Sequence, residues 1–361
     1  MEIKIQGIVG HEKETEFLNE VFRRGRIPHG FIFHGQKNAG KRYIASLFAK
    51  SVLCHDYGAI VNGAAVDKNS AVPLYSCGKC PSCASSERRT NPNFLIIEPV
   101  SGIIKLDSVN RLKSILALKP SFKTRRFVVI DDAPLMNKSA MNALLKILEE
   151  PPEDVCFILI ASNINGLLPT IISRCSLLRF GGISGDALIN AVKERRANGE
   201  DYNFEEDSLM VFSRIANGSF SDFERLLEGG YQGLRKYLIN DILTPLFLHR
   251  KGVLEYFSLS DEFGRMIKEF HGRPSGAAEM LLLILRDIYI YFVTGRGELL
   301  YNSDILEEIR KFINEPGVTS AGLLGMIDKT VNYMDKMEYN LNKTIVTDSY
   351  FSGLLSSLKP A

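Results

Sequence analysis

Two stretches of the sequence carry residue types that could bind a nucleotide's phosphates. Residues 35–41 read GQKNAGK and fit the G-x-x-x-x-G-K pattern, in which backbone N–H groups and a lysine cradle phosphates. Asp131 and Asp132 follow an apolar run, at the kind of strand end where an open α/β sheet places its ligands. Together the two stretches predict a P-loop nucleotide site. Its predicted members are Gly35, Gly40, Lys41, Asp131 and Asp132.

Four cysteines have the spacing of a zinc site. Cys77, Cys80 and Cys83 stand at intervals of three in a turn-like CGKCPSC string, and Cys54 precedes them across a segment that reads as a loop. Because four thiolates suit a tetrahedral S₄ site and leave no open position, the pattern predicts a structural Zn²⁺. Two alternatives are open: His55 could replace one cysteine as a ligand, or the four could be unrelated reduced thiols.

A parallel sheet is the structure that would position these residues. The runs at 31–34, 127–130 and 155–161 are short and apolar, as expected of strands that a parallel sheet buries on both faces. The first run leads through the P-loop pattern into a predicted helix over 41–54, and residues 94–97 form a further strand. The pattern therefore predicts an α/β fold with a parallel sheet.

Helix signals lie between these strands. Asn137 can cap a helix whose apolar residues recur at helical spacing, and Pro151 ends it, because a proline disfavours helical geometry in the residue before it. Asp107 or Ser108 can cap another helix that runs to Leu118. These helices supply the layers that cover a parallel sheet.

Composition places the chain among ordinary soluble globular proteins. It has 361 residues, 24% of them charged and 45% hydrophobic, with a formal net charge of +2. This near-neutral charge gives no electrostatic argument for strong, independent DNA binding. The sequence shows no signal peptide and no membrane span, so we expect a cytoplasmic protein with reduced cysteines. Lys119, Lys123, Arg125 and Arg126 form a basic cluster, which indicates a solvated loop, with a phosphate-facing surface as the alternative.

Four further strings are more specific than the P-loop pattern. They read GIVGHE at 7–12, IPHG at 27–30, NALLKILEEPP at 142–152 and SRC at 173–175. In these strings the chain resembles the bacterial clamp-loader branch of the AAA+ family. The resemblance is dense from residue 5 to about residue 180 and concerns architecture alone beyond that.

The resemblance implies an architecture and a set of partners. It implies an AAA+ P-loop domain over 1–180 with a zinc module at about 54–90, a helical lid over 181–235 and a helical collar over 236–361. The implied partners are gamma/tau-type motor subunits, the clamp-opening delta subunit, and, through the complex, a sliding clamp and primed DNA. Ser162 and Asn163 stand where the family keeps a polar sensor of the γ-phosphate. Asn163 is the predicted sensor, with a shift of one residue left open because the segment up to Ser173 is one residue shorter than in relatives. Arg174, in the SRC string, stands where the family has an arginine that reaches a neighbouring subunit's ATP site.

Three positions depart from the family's active nucleotide site. Arg42 occupies the place of the Ser or Thr whose hydroxyl binds Mg²⁺, and a guanidinium cannot coordinate a metal. Asp132 replaces the Glu that orients the attacking water, and Ser221 replaces a sensor arginine. We therefore expect no efficient ATP hydrolysis at this site, while ATP binding without turnover stays open. The favoured interpretation is a non-hydrolysing stator subunit of the loader, with an ATPase motor subunit and a stand-alone zinc ATPase as alternatives.

The C-terminal third is predicted to be helical. Its most apolar helix must bury most of its circumference, as a collar domain would require. The residues that form this wide apolar face are Leu281, Leu282, Ile284, Leu285, Ile288 and Tyr289.

Overall fold

A computed structural model describes residues 8–56, 74–117, 125–199, 204, 206–228, 230–249, 260, 263, 274–338 and 342–358. Most of the loop predicted between Cys54 and Cys77 lies outside the described residues, as do Gly7, Leu118, Lys119 and Lys123. The chain divides into two compact units. The first comprises residues 1–187 and 218–221, and the second comprises 188–217 and 222–361.

The first unit is built on a five-stranded parallel sheet. The strands are β1 (Gly30–Gly35), β2 (Phe94–Ile97), β3 (Arg126–Ile130), β4 (Val155–Ala161) and β5 (Ser176–Phe180). Their order across the sheet is β2-β3-β4-β1-β5, and every neighbouring pair is parallel. Because all strands run the same way, the loops after β1, β3 and β4 meet at one edge. This confirms the predicted sheet and brings the P-loop and the acid pair together.

Helices cover both faces of this sheet. They are α1 (Glu12–Arg23), α2 (Lys41–Leu53), α3 (Pro81–Glu87), α4 (Leu106–Ala117), α5 (Lys138–Glu149) and α6 (Pro169–Ile172). Successive strand side chains point to opposite faces, so Val128 and Ile130 belong to the apolar cluster that includes α5 residues, whereas Phe127 and Val129 belong to the one that includes α2 residues. Both faces of β3 are therefore buried, as the unbroken apolar run predicted.

Local signals explain most of the helix boundaries. The Asn137 side chain accepts a hydrogen bond from the Ala140 N–H at 2.8 Å, which confirms the predicted cap of α5. The start of α4 was predicted less well: it begins at Leu106, so Asp107 lies inside the first turn, where a carboxylate favours the helix dipole. Arg126 is buried in β3 and donates to the Ile115 carbonyl at 3.1 Å, so its assignment to a solvated loop was wrong.

Gly35 shows how tightly the sheet edge is packed. Its φ is +133°, and an added Cβ would lie 2.0 Å from the Phe180 carbonyl oxygen. We expect Gly35→Ala to lower the melting temperature by about 6 °C or more, because it adds overpacking to backbone strain. Gly25→Ala is the matched control, since Gly25 also has positive φ but no atom within 4 Å of an added Cβ. Equal melting temperatures in thermal unfolding of the two variants would contradict this account.

The described residues of the second unit form helices joined by turns and short loops. Its helices are α7 (Gly185–Ala197, which begins in the first unit), α8 (Glu206–Ile215), α9 (Phe220–Glu228), α10 (Tyr231–Tyr237), α11 (Pro274–Thr294), α12 (Leu306–Ile313), α13 (Ser320–Glu338) and α14 (Lys343–Ser357), with π-helical turns at Leu238–Leu243 and Pro245–His249. Leu281, Ile284, Leu285 and Ile288 are fully buried, as the apolar pattern of α11 predicted. The finer division into a lid over 181–235 and a collar over 236–361 stays a prediction.

No helix among the described residues is long and apolar enough to cross a membrane.

Candidate functional site

A cavity of about 710 Å³ lies at the edge of the sheet where the P-loop and the acid pair meet. Five cationic and three acidic side chains line it, and the other lining residues are polar or apolar. The charged residues are Lys37, Lys41, Arg42, Lys50, Arg89, Glu87, Asp131 and Asp132. Its volume lies within the range of small-molecule sites, about 300–1,000 Å³. The structure therefore joins the two stretches that the sequence singled out into one candidate nucleotide site.

The P-loop has the expected backbone and an inward-turned lysine. Gly40 has φ +76° and directly precedes α2, so the loop ends at that helix's N-terminus. The Lys41 ammonium is buried and donates to two carbonyl oxygens of its own loop, that of Gly35 at 3.0 Å and that of Gln36. Burial lowers the pKa of Lys41, with Asp132 and Asp131 opposing the shift. Because an ammonium group has three N–H donors, Lys41 keeps one donor beyond these two carbonyls.

Arg42 is bound to two carboxylates at the edge of the sheet. Its guanidinium donates to Asp131 Oδ2 at 2.8 Å and to Glu98 Oε1, while the other oxygen of Asp131 accepts from the Asp132 N–H at 3.1 Å. Burial opposes the charge on Arg42, but Asp131 and Glu98 outweigh it and raise the pKa of the guanidinium. Both oxygens of the strand-end carboxylate are thus engaged by protein donors.

The remaining predicted residues differ in their relation to the cavity. Asp132 and Ser221 line it, and Asp132 has a left-handed backbone with φ 44°. Asn163 is not among the lining residues; its side chain accepts from the Asn165 N–H at 2.9 Å and caps a short 3₁₀ turn. Ser162, one residue earlier, lines the cavity instead. A shift of one residue in this loop accounts for the difference.

The four predicted cysteine ligands lie together. The sulfur atoms of Cys54, Cys77, Cys80 and Cys83 are all within 4.8 Å of one another, and Cys77 Sγ is 3.8 Å from Cys83 Sγ. A tetrahedral zinc with Zn–S bonds of about 2.3 Å needs sulfur atoms roughly 3.8 Å apart. His55 is not part of the cluster. The geometry therefore fits a metal held by four sulfurs, and the cluster can bind zinc.

Hydrogen bonds and burial determine how readily these thiols ionise. The N–H of Cys80 donates to Cys77 Sγ at 3.2 Å, and the N–H of Cys83 donates to Cys80 Sγ at 3.4 Å. Burial alone raises the pKa of a thiol, as it does for Cys83. At Cys80 burial is outweighed by hydrogen bonds from the backbone and the neighbouring thiols, which lower its pKa to about 6. The Cys80 thiolate, favoured in this way, is a good ligand for a soft divalent metal.

Sequence reasoning missed the residues that connect the two candidate sites. The helix α3 contains Cys83 of the cysteine cluster, and its Ser86 and Glu87 line the cavity, as does Arg89 just beyond it. Glu87 forms an ion pair with Lys50 of α2, and Arg89 donates to Glu98 Oε2 at 2.9 Å. No local pattern announces these pairs, because each joins segments distant in sequence.

Arg174 lies apart from the residues that line the cavity. Its guanidinium donates to Glu149 at 2.9 Å and to the Thr170 carbonyl at 2.9 Å. Both members of the ion pair are partly exposed, with side-chain exposures of 36% for Arg174 and 44% for Glu149. Such a pair is worth only about 0–1 kcal/mol, so the arginine can exchange it for another anion at small cost.

The strand order and the cavity at the strand ends define the class of protein. A parallel sheet carrying a P-loop and a strand-end acid pair, followed by helices, is a P-loop fold of the AAA+ type. Residues 10–184 match a family model described as "DNA polymerase III, delta subunit". This match covers just under half of the chain and supports an AAA+ subunit of the bacterial DNA polymerase III clamp loader.

The curated relatives that the chain resembles are also DNA polymerase III subunits. The chain is 26% identical over 297 residues to the delta' subunit of DNA polymerase III from Bacillus subtilis (strain 168), covering 82% of each chain. It is 26% identical to the tau subunit from the same organism, covering 90% of this chain and 56% of tau. It is 29% identical to the gamma subunit from Buchnera aphidicola subsp. Schizaphis graminum, covering 61% of this chain and 56% of gamma. The match thus spans just over half the length of these gamma and tau proteins.

Among solved structures, a gamma subunit-related protein from Thermotoga maritima aligns with a TM-score of 0.41 and 17% identity. The alignment covers 95% of this chain and all of that chain.

Proposed function

We propose that this chain is a delta'-type subunit of the DNA polymerase III clamp loader that does not itself turn over ATP. It acts with gamma/tau-type motor subunits and the delta subunit, and its Arg174 completes a neighbouring ATPase site. ATP hydrolysis in the complex then drives loading of a sliding clamp onto primed DNA. In the chain itself, a zinc ion on Cys54, Cys77, Cys80 and Cys83 has a structural role.

The position of Arg42 carries this proposal. Hydrolysis in P-loop enzymes needs a Mg²⁺ that a loop hydroxyl and a strand-end carboxylate hold beside the phosphates. Here the hydroxyl is absent, and a guanidinium occupies the carboxylate at 2.8 Å. Asp132 is one methylene shorter than the glutamate it replaces, and catalytic geometry tolerates little misplacement. Two of the groups that hydrolysis requires are therefore altered at the same site.

The second candidate is a gamma/tau-type motor subunit. The gamma and tau relatives match this chain as well as delta' does, so similarity does not separate the two functions. The difference lies in the nucleotide site, because a motor requires a hydroxyl at position 42 and a glutamate at position 132. ATP turnover by the isolated chain distinguishes them.

We expect the isolated chain to show no ATP hydrolysis above a no-protein blank. A motor site that has its neighbour's arginine turns over on the order of once per second, so the two candidates differ by a wide margin. The measurement is steady-state phosphate release with Mg²⁺ present, and the reconstituted clamp loader, in which the motor sites have their neighbours' arginines, is the positive control. A rate near one per second for this chain would assign it to the motor class.

A further inference from the structure

Arg42 and its neighbours form a linked set of charges inside the cavity. Arg42 and Arg89 both bind the Glu98 carboxylate, and Arg42 also binds Asp131. Five of the residues that line the cavity are cationic and three are acidic, and with Glu98 counted the set has an excess of one positive charge. The first turn of α2, a helix of 13 residues, adds its partial positive charge. The cavity as a whole therefore favours an anion.

The same contacts disfavour a divalent cation. Magnesium requires oxygen ligands in nearly octahedral geometry, and proteins usually supply one or two carboxylates. Asp131, the carboxylate beside the loop, has one oxygen bound to Arg42 and the other to the Asp132 N–H. A metal ion there would have to displace the guanidinium and would be repelled by it.

A guanidinium can replace a metal ion as the cation that binds the phosphates. It is permanently charged, and its planar set of donors matches two phosphate oxygens at once. The Arg42 side chain is 39% exposed, so a phosphate can reach it from solvent. Glu98 also binds Arg89, so the Arg89–Glu98 pair can remain when Arg42 turns to a phosphate. Lys37 and Lys41, both in the P-loop pattern, line the same cavity.

We propose that the cavity binds the phosphate chain of a nucleoside triphosphate with an affinity that does not depend on magnesium. Arg42 takes the place of the metal, and Arg89, just after α3, provides a second cation. This inference rests on the proposed function, in which the same site does not hydrolyse ATP. It adds that nucleotide is a bound ligand of the chain, recognised by protein cations alone.

The test is equilibrium binding of ATP to the full chain by calorimetry, with and without Mg²⁺. Magnesium is removed from the buffer with a chelating resin rather than by adding a chelator, so that the zinc site is not stripped. We expect the wild-type dissociation constant to agree within about twofold in the two conditions. Arg42→Ser should weaken metal-free binding by about tenfold or more, because a charge-assisted hydrogen bond is lost, and added Mg²⁺ should then restore part of it.

Two further variants serve as controls. Arg42→Lys keeps the charge and should keep magnesium-independent binding, which separates the effect of charge from misfolding in Arg42→Ser. Arg24→Ser makes the same kind of change on α1, where the side chain is 70% exposed, and should bind like the wild type. Absence of ATP binding in both conditions, or a wild-type affinity that requires Mg²⁺, would overturn the inference. Neither result would touch the proposal that this site does not hydrolyse ATP, which fails if the isolated chain turns over ATP.

Discussion

Arg174→Ala in the reconstituted clamp loader should reduce ATP hydrolysis at the adjacent motor site by about 10³- to 10⁵-fold, the range known for arginine fingers. The guanidinium stabilises negative charge that builds on the transferring phosphoryl group, which corresponds to roughly 4–7 kcal/mol. The measurements are single-turnover hydrolysis at that site and clamp loading onto primed DNA. Total ATPase should fall only in part, because other sites keep their own arginines.

The ion pair with Glu149 provides a matched control for this variant. Glu149→Gln removes the same pair within the chain but leaves the guanidinium in place. Because an exposed pair contributes about 0–1 kcal/mol, both variants should remain folded and assemble, as gel filtration would show. Glu149→Gln should load clamps at the wild-type rate. Normal loading by Arg174→Ala, in a complex that has assembled, would make Arg174 an ordinary surface residue and refute its role in a neighbouring site.

Loss of zinc should have the second large effect. The wild-type protein should contain about one zinc per chain, and Cys83→Ser close to none, by elemental analysis of protein prepared without chelators. The N-terminus of α3 depends on this cluster, because the Cys80 side chain accepts the Cys83 N–H there. Within residues 81–87, the backbone amides, which exclude Pro81, should exchange with deuterium about 100-fold faster in Cys83→Ser, since a metal site contributes its binding free energy to local stability.

Cys175→Ser is the control for this experiment. Cys175 lies outside the cluster and packs against the core, where burial raises its pKa to about 11. The variant should therefore keep its zinc and its slow exchange over residues 81–87. A zinc-free wild-type protein, or a Cys83→Ser variant that retains the metal, would contradict the structural role proposed for the ion.

Local and chemical information in the sequence determined much of this protein. The strand at 155–161 and the cap at Asn137 follow from apolar pattern and side-chain chemistry, which act over a few residues. The four cysteines were also identifiable, because thiols at intervals of three in a turn have few other uses. Arg42 showed that the metal position is altered, since residue type alone excludes coordination by a guanidinium.

Only the tertiary structure decided which groups Arg42 binds. Its partners Glu98 and Asp131 are 56 and 89 residues away in the chain, and the parallel sheet brings both to the edge where α2 begins. The same holds for Arg89 and for the Lys50–Glu87 pair, which connect the cysteine cluster to the nucleotide cavity. The spacing of charged residues in the sequence does not predict which distant residue each of them will pair with. Their pairing depends on which strand ends and helix termini the packed core places within a few ångströms of one another.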